Sequence, residues 1–163
     1  MDIEGFWAIV DAARDAGHVD MDARVNALRK LLMPLPASEI QSFQNHYDKL
    51  LSQSYRWDLW GAAYVINGGC SDDGFRHFRD WLISEGRSVF EAALADPESL
   101  ANLPDVESPE NELYGYVAGE AFKRTTGGTP ERNVSTEAAD PAGVPWEEDA
   151  VYDLFPKLAA RYG

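Results

Sequence analysis

The single cysteine, Cys70, and two histidines are the residues best suited to covalent chemistry. Cys70 lies in a turn just before a predicted helix, and the positive end of a helix dipole stabilises a thiolate. With His46 or His77 as a base, it would form a nucleophilic pair. Asp72 and Asp73 lie at the same helix end and oppose a second anion, so a structural cysteine is the favoured interpretation.

Two glycines, Gly68 and Gly69, precede the same helix start, as in loops that cradle a phosphate. Neither a GxxxxGK[ST] nor a GxGxxG pattern follows them, and aspartates occupy the positions at which the anion would bind. The turn is therefore interpreted as a corner between two helices, with Ser71 as the cap of the second one.

A metal site is the third chemistry that this stretch suggests. Asp73 and His77 are four residues apart, so they would share one helix face and could hold a divalent ion with a third ligand. Asp72–Arg76 and Arg76–Asp80 have the same spacing, and ordinary ion pairs between successive turns explain it equally. We expect no dedicated metal site, no cofactor and no catalytic residue.

Ionisable residues among apolar neighbours are more informative. Asp58 lies between two tryptophans, Arg79 follows Phe78, and Glu120 lies in an apolar segment. Because buried charge is costly unless it is paired, Arg79 is predicted to pair with Asp58 or Glu120, and Asn67 to hydrogen-bond neighbouring backbone. Such a network serves either the register of the helices or the binding of a ligand.

The candidate binding residues for a ligand or partner therefore come from one stretch, residues 57–87, and one later position. They are Trp57, Asp58, Trp60, Asn67, Cys70, Asp72, Asp73, Arg79, Trp81 and Glu120. Aromatic residues here are expected to be mostly core, and a face left exposed would be a recognition patch. Trp81 and Trp146 lie off the main apolar stripes and are expected to be partly exposed.

Helices are the elements that must position these residues. Apolar residues recur at helical spacing in most segments, and no segment alternates with period two over the length of a strand. A capping box at Ser38 and Gln41 predicts the start of the third helix. The sequence predicts an all-α fold with helices at about 2–16, 20–33, 38–51, 57–67, 72–85, 88–95, 97–102 and 109–125.

The chain divides into three parts. Residues 1–125 are predicted to form a compact bundle of about six to eight short helices, with 109–125 as a central helix. Residues 126–145 are rich in Gly, Pro, Thr and Glu without periodicity, which predicts a long loop or linker. Residues 146–163 are predicted to form a C-terminal helix that docks back on the domain, kinked or split at Pro156.

Composition restricts the class of partner. With 45% hydrophobic residues in 163, the chain can bury a sizeable core, which excludes global disorder. A net charge of −14 repels phosphate backbones and anionic lipid headgroups, so neither nucleic acid nor a membrane is the expected partner, whereas a basic protein would be attracted. The single cysteine and the absence of a signal-peptide pattern or long apolar run favour the cytoplasm.

The motifs WDLWGAAY, INGGCSDD and FRDWLI occur between residues 57 and 83. Their combination is similar to a bacterial family of unknown function, DUF forty-two forty, over about residues 1–125 and most specifically over 55–94. The resemblance implies a small bacterial cytoplasmic protein. It implies no activity, so it assigns no catalytic residue to this chain.

Three functions remain open. The acidic charge and the lack of a catalytic signature favour a non-catalytic protein-interaction module, adaptor or immunity-like, that binds a basic partner. The alternative is a small-molecule-binding protein or a hydrolase with a polar cleft around residues 67–79. The third is a structural or oligomerisation role. Whether the chain is an enzyme stays open, with a negative answer favoured.

Overall fold

A computed structural model describes residues 1–104, 108–132 and 140–163 of the chain. The α-helices are α1 (Ile3–Gly17), α2 (Met21–Leu32), α3 (Ala37–Gln53), α4 (Trp57–Asn67), α5 (Asp72–Ser84), α6 (Arg87–Ala95), α7 (Val117–Thr126), α8 (Val151–Leu154) and α9 (Pro156–Tyr162), with 3₁₀ helices at Pro97–Asn102 and Glu112–Tyr116. Within these ranges no strand occurs, and the predicted all-α fold is confirmed. Seven of the predicted 126–145 loop positions, residues 133–139, lie outside the described residues.

Local capping chemistry fixes the ends of several helices. The Asp2, Asp20 and Ser71 side chains each accept a hydrogen bond from the backbone N–H three residues later, as an N-cap does. Gly68 ends α4 in the left-handed conformation, with φ of 67°, which costs glycine little. The predicted corner between α4 and α5 is thus confirmed.

The predicted capping box at Ser38 is wrong. Helix α3 begins at Ala37, and Pro36 precedes it without a side-chain cap. The Pro36 carbonyl accepts the first helical hydrogen bonds, from Glu39 and Ile40. Proline already holds a φ near the helical value, so the helix starts one residue earlier than Ser38 would place it.

The central helix is α5, not the 109–125 segment. The second half of α5 is buried on every side, because α1, α3, α4, α6 and the 3₁₀ helix Glu112–Tyr116 all pack against it. Trp81 is therefore buried, contrary to its predicted partial exposure, and its ring packs 5.3 Å from that of Phe78. The 109–125 segment breaks into a 3₁₀ helix followed by α7, and this change of helical phase leaves Leu113 and Glu120 exposed.

The described C-terminal residues lie against α4. Ala142 exchanges backbone hydrogen bonds with Tyr55 and Trp57, and α8 and α9 pack on α4. Gly61 makes this close approach feasible, since a Cβ there would lie 2.6 Å from the ring of Phe155. Pro156 begins α9 directly after α8, so the predicted split of the last helix is confirmed. None of the described helices is long and apolar enough to cross a membrane.

Candidate functional site

A cleft of about 350 Å³ opens beside α5. Its walls are α5, the 3₁₀ helix Glu112–Tyr116 and two side chains from elsewhere, Tyr55 and Arg132. Most of the lining residues carry an acidic or basic side chain. They are Asp72, Asp73, Arg76, His77, Arg79, Asp80, Glu112 and Arg132. Acidic and basic groups from three separate segments therefore meet in one cleft of a strongly acidic protein.

Asp80 is the buried acid of the cleft, with 2% of its surface exposed. The Tyr47 hydroxyl donates a hydrogen bond to its Oδ1 at 2.6 Å, and Arg76 Nε lies 3.7 Å from its Oδ2. Gly115 packs directly on it, because a Cβ at this position would lie 2.7 Å from Oδ1. Burial raises the pKa of Asp80 to about 6, although Arg76 and Tyr47 oppose the shift. This carboxylate can therefore exchange a proton not far below neutral pH.

Arg79 is the buried base of the cleft, with 3% of its surface exposed. Its guanidinium contacts two aromatic rings, with Cζ 4.7 Å from the Tyr55 centroid and 4.8 Å from the Phe75 centroid. Nη1 donates to the Leu51 carbonyl at 2.7 Å, whereas Nε has no hydrogen-bond partner among the described residues. Burial, and secondarily Arg76, lower the pKa of Arg79 to about 10, so it still carries a charge at neutral pH.

The rim of the cleft is acidic and exposed. Asp72 and Asp73 begin α5, and Glu112 begins the facing 3₁₀ helix. His77 Nε2 lies 3.7 Å from Glu112 Oε1 and joins the two walls. Solvent screens these rim charges far more than it screens the buried Arg79 and Asp80.

Arg132 reaches the cleft from beyond α7. It forms a bidentate ion pair with the fully buried Asp48, with Nη2 2.9 Å from Oδ1 and Nε 3.1 Å from Oδ2. Gln44 also donates to Asp48, at 2.8 Å. The preceding residue, Glu131, exchanges two hydrogen bonds between its backbone and the Gln41 side chain. The segment after α7 is thereby held on α3, and this contact positions Arg132.

The predicted pairing of Arg79 with Asp58 or Glu120 is wrong. Asp58 accepts from the neighbouring Arg56 at 2.9 Å, and Glu120 accepts from Arg29 at 3.1 Å. Both carboxylates are partly solvated on outer faces of their helices, so neither needs a buried partner. Asn67 is exposed, and its side chain makes no hydrogen bond to the described residues, contrary to its predicted backbone contact.

The structure brings three of the candidate residues into the cleft, namely Asp72, Asp73 and Arg79. Trp57 and Trp60 stack on each other at 5.3 Å, and both contact Trp146 to form an aromatic cluster outside the cleft lining. Trp81 lies in the core. The remaining candidates, Asp58, Asn67, Cys70 and Glu120, do not line the cleft.

Cys70 is poorly suited to be a nucleophile. Burial and the nearby Glu110 and Asp72 raise the pKa of its thiol to about 11, which favours the unreactive thiol. His46 contacts the Met1 carbonyl at 3.0 Å, and His77 faces Glu112. In the described part of the chain, no group of three His, Cys, Asp or Glu side chains is placed to hold a metal ion.

Several cleft residues escaped the sequence analysis. Gly115 and Arg132 line the cleft but are not among the candidates from the sequence, and neither are Tyr47 and Asp48, which contact Asp80 and Arg132 without lining the cleft. One feature of the sequence indicates a buried polar contact here. Gln44 and Asp48 are four residues apart, beside the apolar stripe of α3. Polar groups on a buried helix face require partners, and that requirement points to a long-range cation.

Comparison with known proteins gives a family. Residues 1–124 match the model of a family described as a protein of unknown function (DUF4240). No curated protein and no solved structure matches the chain. The match contains every lining residue of the cleft except Arg132, which lies beyond its end.

Proposed function

This chain belongs to the DUF4240 family, and from the geometry of its cleft we propose that it is a small-molecule-binding protein. The observation that carries the proposal is the burial of two opposite charges, Asp80 and Arg79, at a cleft that opens to solvent. Removing each ion from water costs several kcal/mol, and apolar side chains of similar volume would fold the protein at least as well. A binding role explains why such groups line an accessible cavity.

Volume and chemistry set the kind of ligand. About 350 Å³ is near the lower end of the range for ligand pockets, so the ligand is small. The lining is far more polar than that of a typical drug-sized pocket, so ionic and hydrogen-bonding groups would dominate recognition. Asp80, with a pKa of about 6, would also be placed to accept a proton from a ligand or a water molecule, which a hydrolase would require.

A library of cationic, neutral, anionic and zwitterionic metabolites, screened by thermal unfolding, tests the proposal. A ligand at about 100 times its Kd stabilises the protein by about 2.7 kcal/mol. For a chain of this size, that corresponds to a rise in Tm of about 5–10 °C. We expect at least one class of compound to produce this rise.

Two tryptophan substitutions locate the binding site. His77→Trp would fill the cleft with a larger side chain. It would keep the hydrogen bond from the Asn111 N–H, because the acceptor is the backbone carbonyl of residue 77 and not its side chain. Val19→Trp adds the same bulk at an exposed position outside the cleft. The Tm rise should persist in Val19→Trp and disappear in His77→Trp. A library without any stabilising compound, or equal responses of both variants, would contradict the proposal.

A protein-interaction module is the second candidate function. It is supported by the net charge of −14 and by two large exposed side chains beside the cleft, Leu113 at 56% and Tyr116 at 54% exposure. In this case the chain would be an adaptor or an immunity-like protein that binds a basic partner in the bacterial cytoplasm. Aromatic and aliphatic anchors surrounded by charge are typical of such interfaces.

Association with a basic partner should depend on both features. We expect a partner found by crosslinking to bind at least tenfold more weakly in 500 mM than in 50 mM salt, since exposed charges are screened. Leu113→Ser with Tyr116→Ser should weaken the same association. Affinity measurements on the purified pair provide the test, with Leu154→Ser as an exposed control. Association that is insensitive to both salt and the double substitution would exclude this function.

A further inference from the structure

Arg79 has no salt-bridge partner among the described residues, and Asp80 and Asp72 act on its charge only from beyond salt-bridge distance. Its guanidinium is held by one backbone carbonyl and two aromatic faces, and no carboxylate forms a salt bridge with it there. The Nε–H group is buried and finds no hydrogen-bond acceptor in residues 1–104, 108–132 or 140–163. A planar guanidinium pairs best with a carboxylate or another planar oxyanion.

The neighbouring acid is already engaged. Asp80 accepts a hydrogen bond from Tyr47, lies 3.7 Å from Arg76 and is packed against Gly115. Arg132 is likewise occupied by Asp48. Arg76 lies 3.7 Å from Asp80 Oδ2, so Arg79 is the arginine of the cleft that forms no salt bridge among the described residues and is best placed to take an anion from outside the protein.

A simple anion does not match the rim. Asp72, Asp73 and Glu112 are exposed at the mouth of the cleft and would repel a ligand that carries only negative charge. The same three carboxylates attract an ammonium group. The cleft can thus accommodate both a negative ligand group, at the buried Arg79, and a positive one, at the acidic rim.

We infer that the ligand of this cleft is a small zwitterion of the amino-acid class, with its carboxylate on Arg79 and its ammonium group among Asp72, Asp73 and Glu112. This inference rests on the proposed small-molecule binding and specifies its ligand. Two opposite charges at separate positions give orientation as well as affinity. The cleft volume suits a molecule of this size.

The common L-amino acids and simple dipeptides, with their N-acetyl and C-terminal amide derivatives, are the probes. Calorimetric titration of the whole protein is expected to give binding for a free amino acid or dipeptide. Amidation, which removes the anion, should weaken that binding about tenfold or more. N-acetylation, which removes the ammonium group, should weaken it about fivefold, because the rim charges are exposed.

A rim variant provides the matched protein control. Asp73→Asn with Glu112→Gln changes two exposed carboxylates and should leave folding intact. It should weaken binding of the free ligand about fivefold. It should not weaken binding of the N-acetyl derivative and should slightly strengthen it, because that derivative is purely anionic and the rim carboxylates repel it. Arg79→Gln should abolish binding, but the rim variant and the derivative series decide the question even if Arg79→Gln does not fold.

The outcomes separate this inference from the proposed function. Equal affinity for the free ligand and its amide, or for the free ligand and its N-acetyl form, would overturn the inference. Binding of a different class of compound that His77→Trp blocks would overturn it while supporting the proposed function. No binding of any compound would overturn both.

Discussion

Replacement of Arg24 by methionine is expected to destabilise the protein by about 3–5 kcal/mol. Arg24 is 1% exposed, and its Nη1 donates to Glu85 at 2.9 Å and to Ser84 at 3.2 Å. Its Nε donates to the His18 carbonyl. Glu85 is 6% exposed, and methionine would remove the cation nearest to it. The cation that remains is Arg14, whose Nε lies 3.8 Å from Glu85 Oε2. The free energy of unfolding in urea measures the loss.

Two further variants identify the cause. Arg29→Met, on the same helix, removes a partly exposed ion pair with Glu120 and should cost no more than about 1 kcal/mol. Arg24→Met combined with Glu85→Met should recover much of the lost stability, because it replaces both buried charges. Equal costs for Arg24→Met and Arg29→Met would show that the buried pair contributes nothing beyond a surface contact.

The second large effect concerns Asp80 and depends on pH. The pKa of Asp80 is about 6 in the folded protein, above the value of about 3.9 in an unfolded chain. Between these values the folded protein holds a proton that the unfolded chain has released. The contribution of Asp80 to stability is therefore full below about pH 4 and is lost as pH rises through about 6.

Asp80→Asn should remove this dependence. Asparagine keeps an oxygen that can accept from Tyr47, and it carries no charge to desolvate. Relative to the wild type, the variant should gain up to about 3 kcal/mol of stability between pH 4 and pH 8, as two pKa units imply. Urea unfolding of both proteins across this range measures the difference, and Asp149→Asn controls for the change in net charge.

Tyr47→Phe refines the same experiment. The Tyr47 hydroxyl lowers the pKa of Asp80, so its removal should raise that pKa and move the loss of stability to higher pH. A stability difference between wild type and Asp80→Asn that stays flat from pH 4 to pH 8 would show that Asp80 is not desolvated in the folded protein.

Both effects come from residues that sequence analysis did not single out. Arg24 follows Met21 by three residues and precedes Leu28 by four, so it lies on the apolar stripe of α2. The spacing of Asp80 from Arg76 indicated only an ordinary ion pair between successive helical turns. For both residues the helical spacing indicates a position on a buried face. It does not indicate the partner, because Glu85 is distant in the chain from Arg24 and Tyr47 is distant from Asp80.

The corner between α4 and α5 shows what the sequence by itself determined. The left-handed Gly68 and the Ser71 cap depend on residues within one turn of each other, and such local interactions can be predicted without knowledge of the fold. The same holds for the all-α class and for the helix break at Pro156, which follow from apolar periodicity and backbone geometry. The motif of residues 57–83 also sufficed to indicate the family.

The tertiary structure alone decided which charges are buried and what they contact. Arg79 was expected to pair with Asp58 or Glu120, yet it contacts the rings of Tyr55 and Phe75 beside a cleft. The pairing of Asp48 with Arg132 joins residues 84 positions apart. Helix periodicity specifies the face on which a side chain lies, but the packing of whole helices specifies its neighbour, and many pairings share the same local pattern. The candidate site is for this reason a property of the assembled helices.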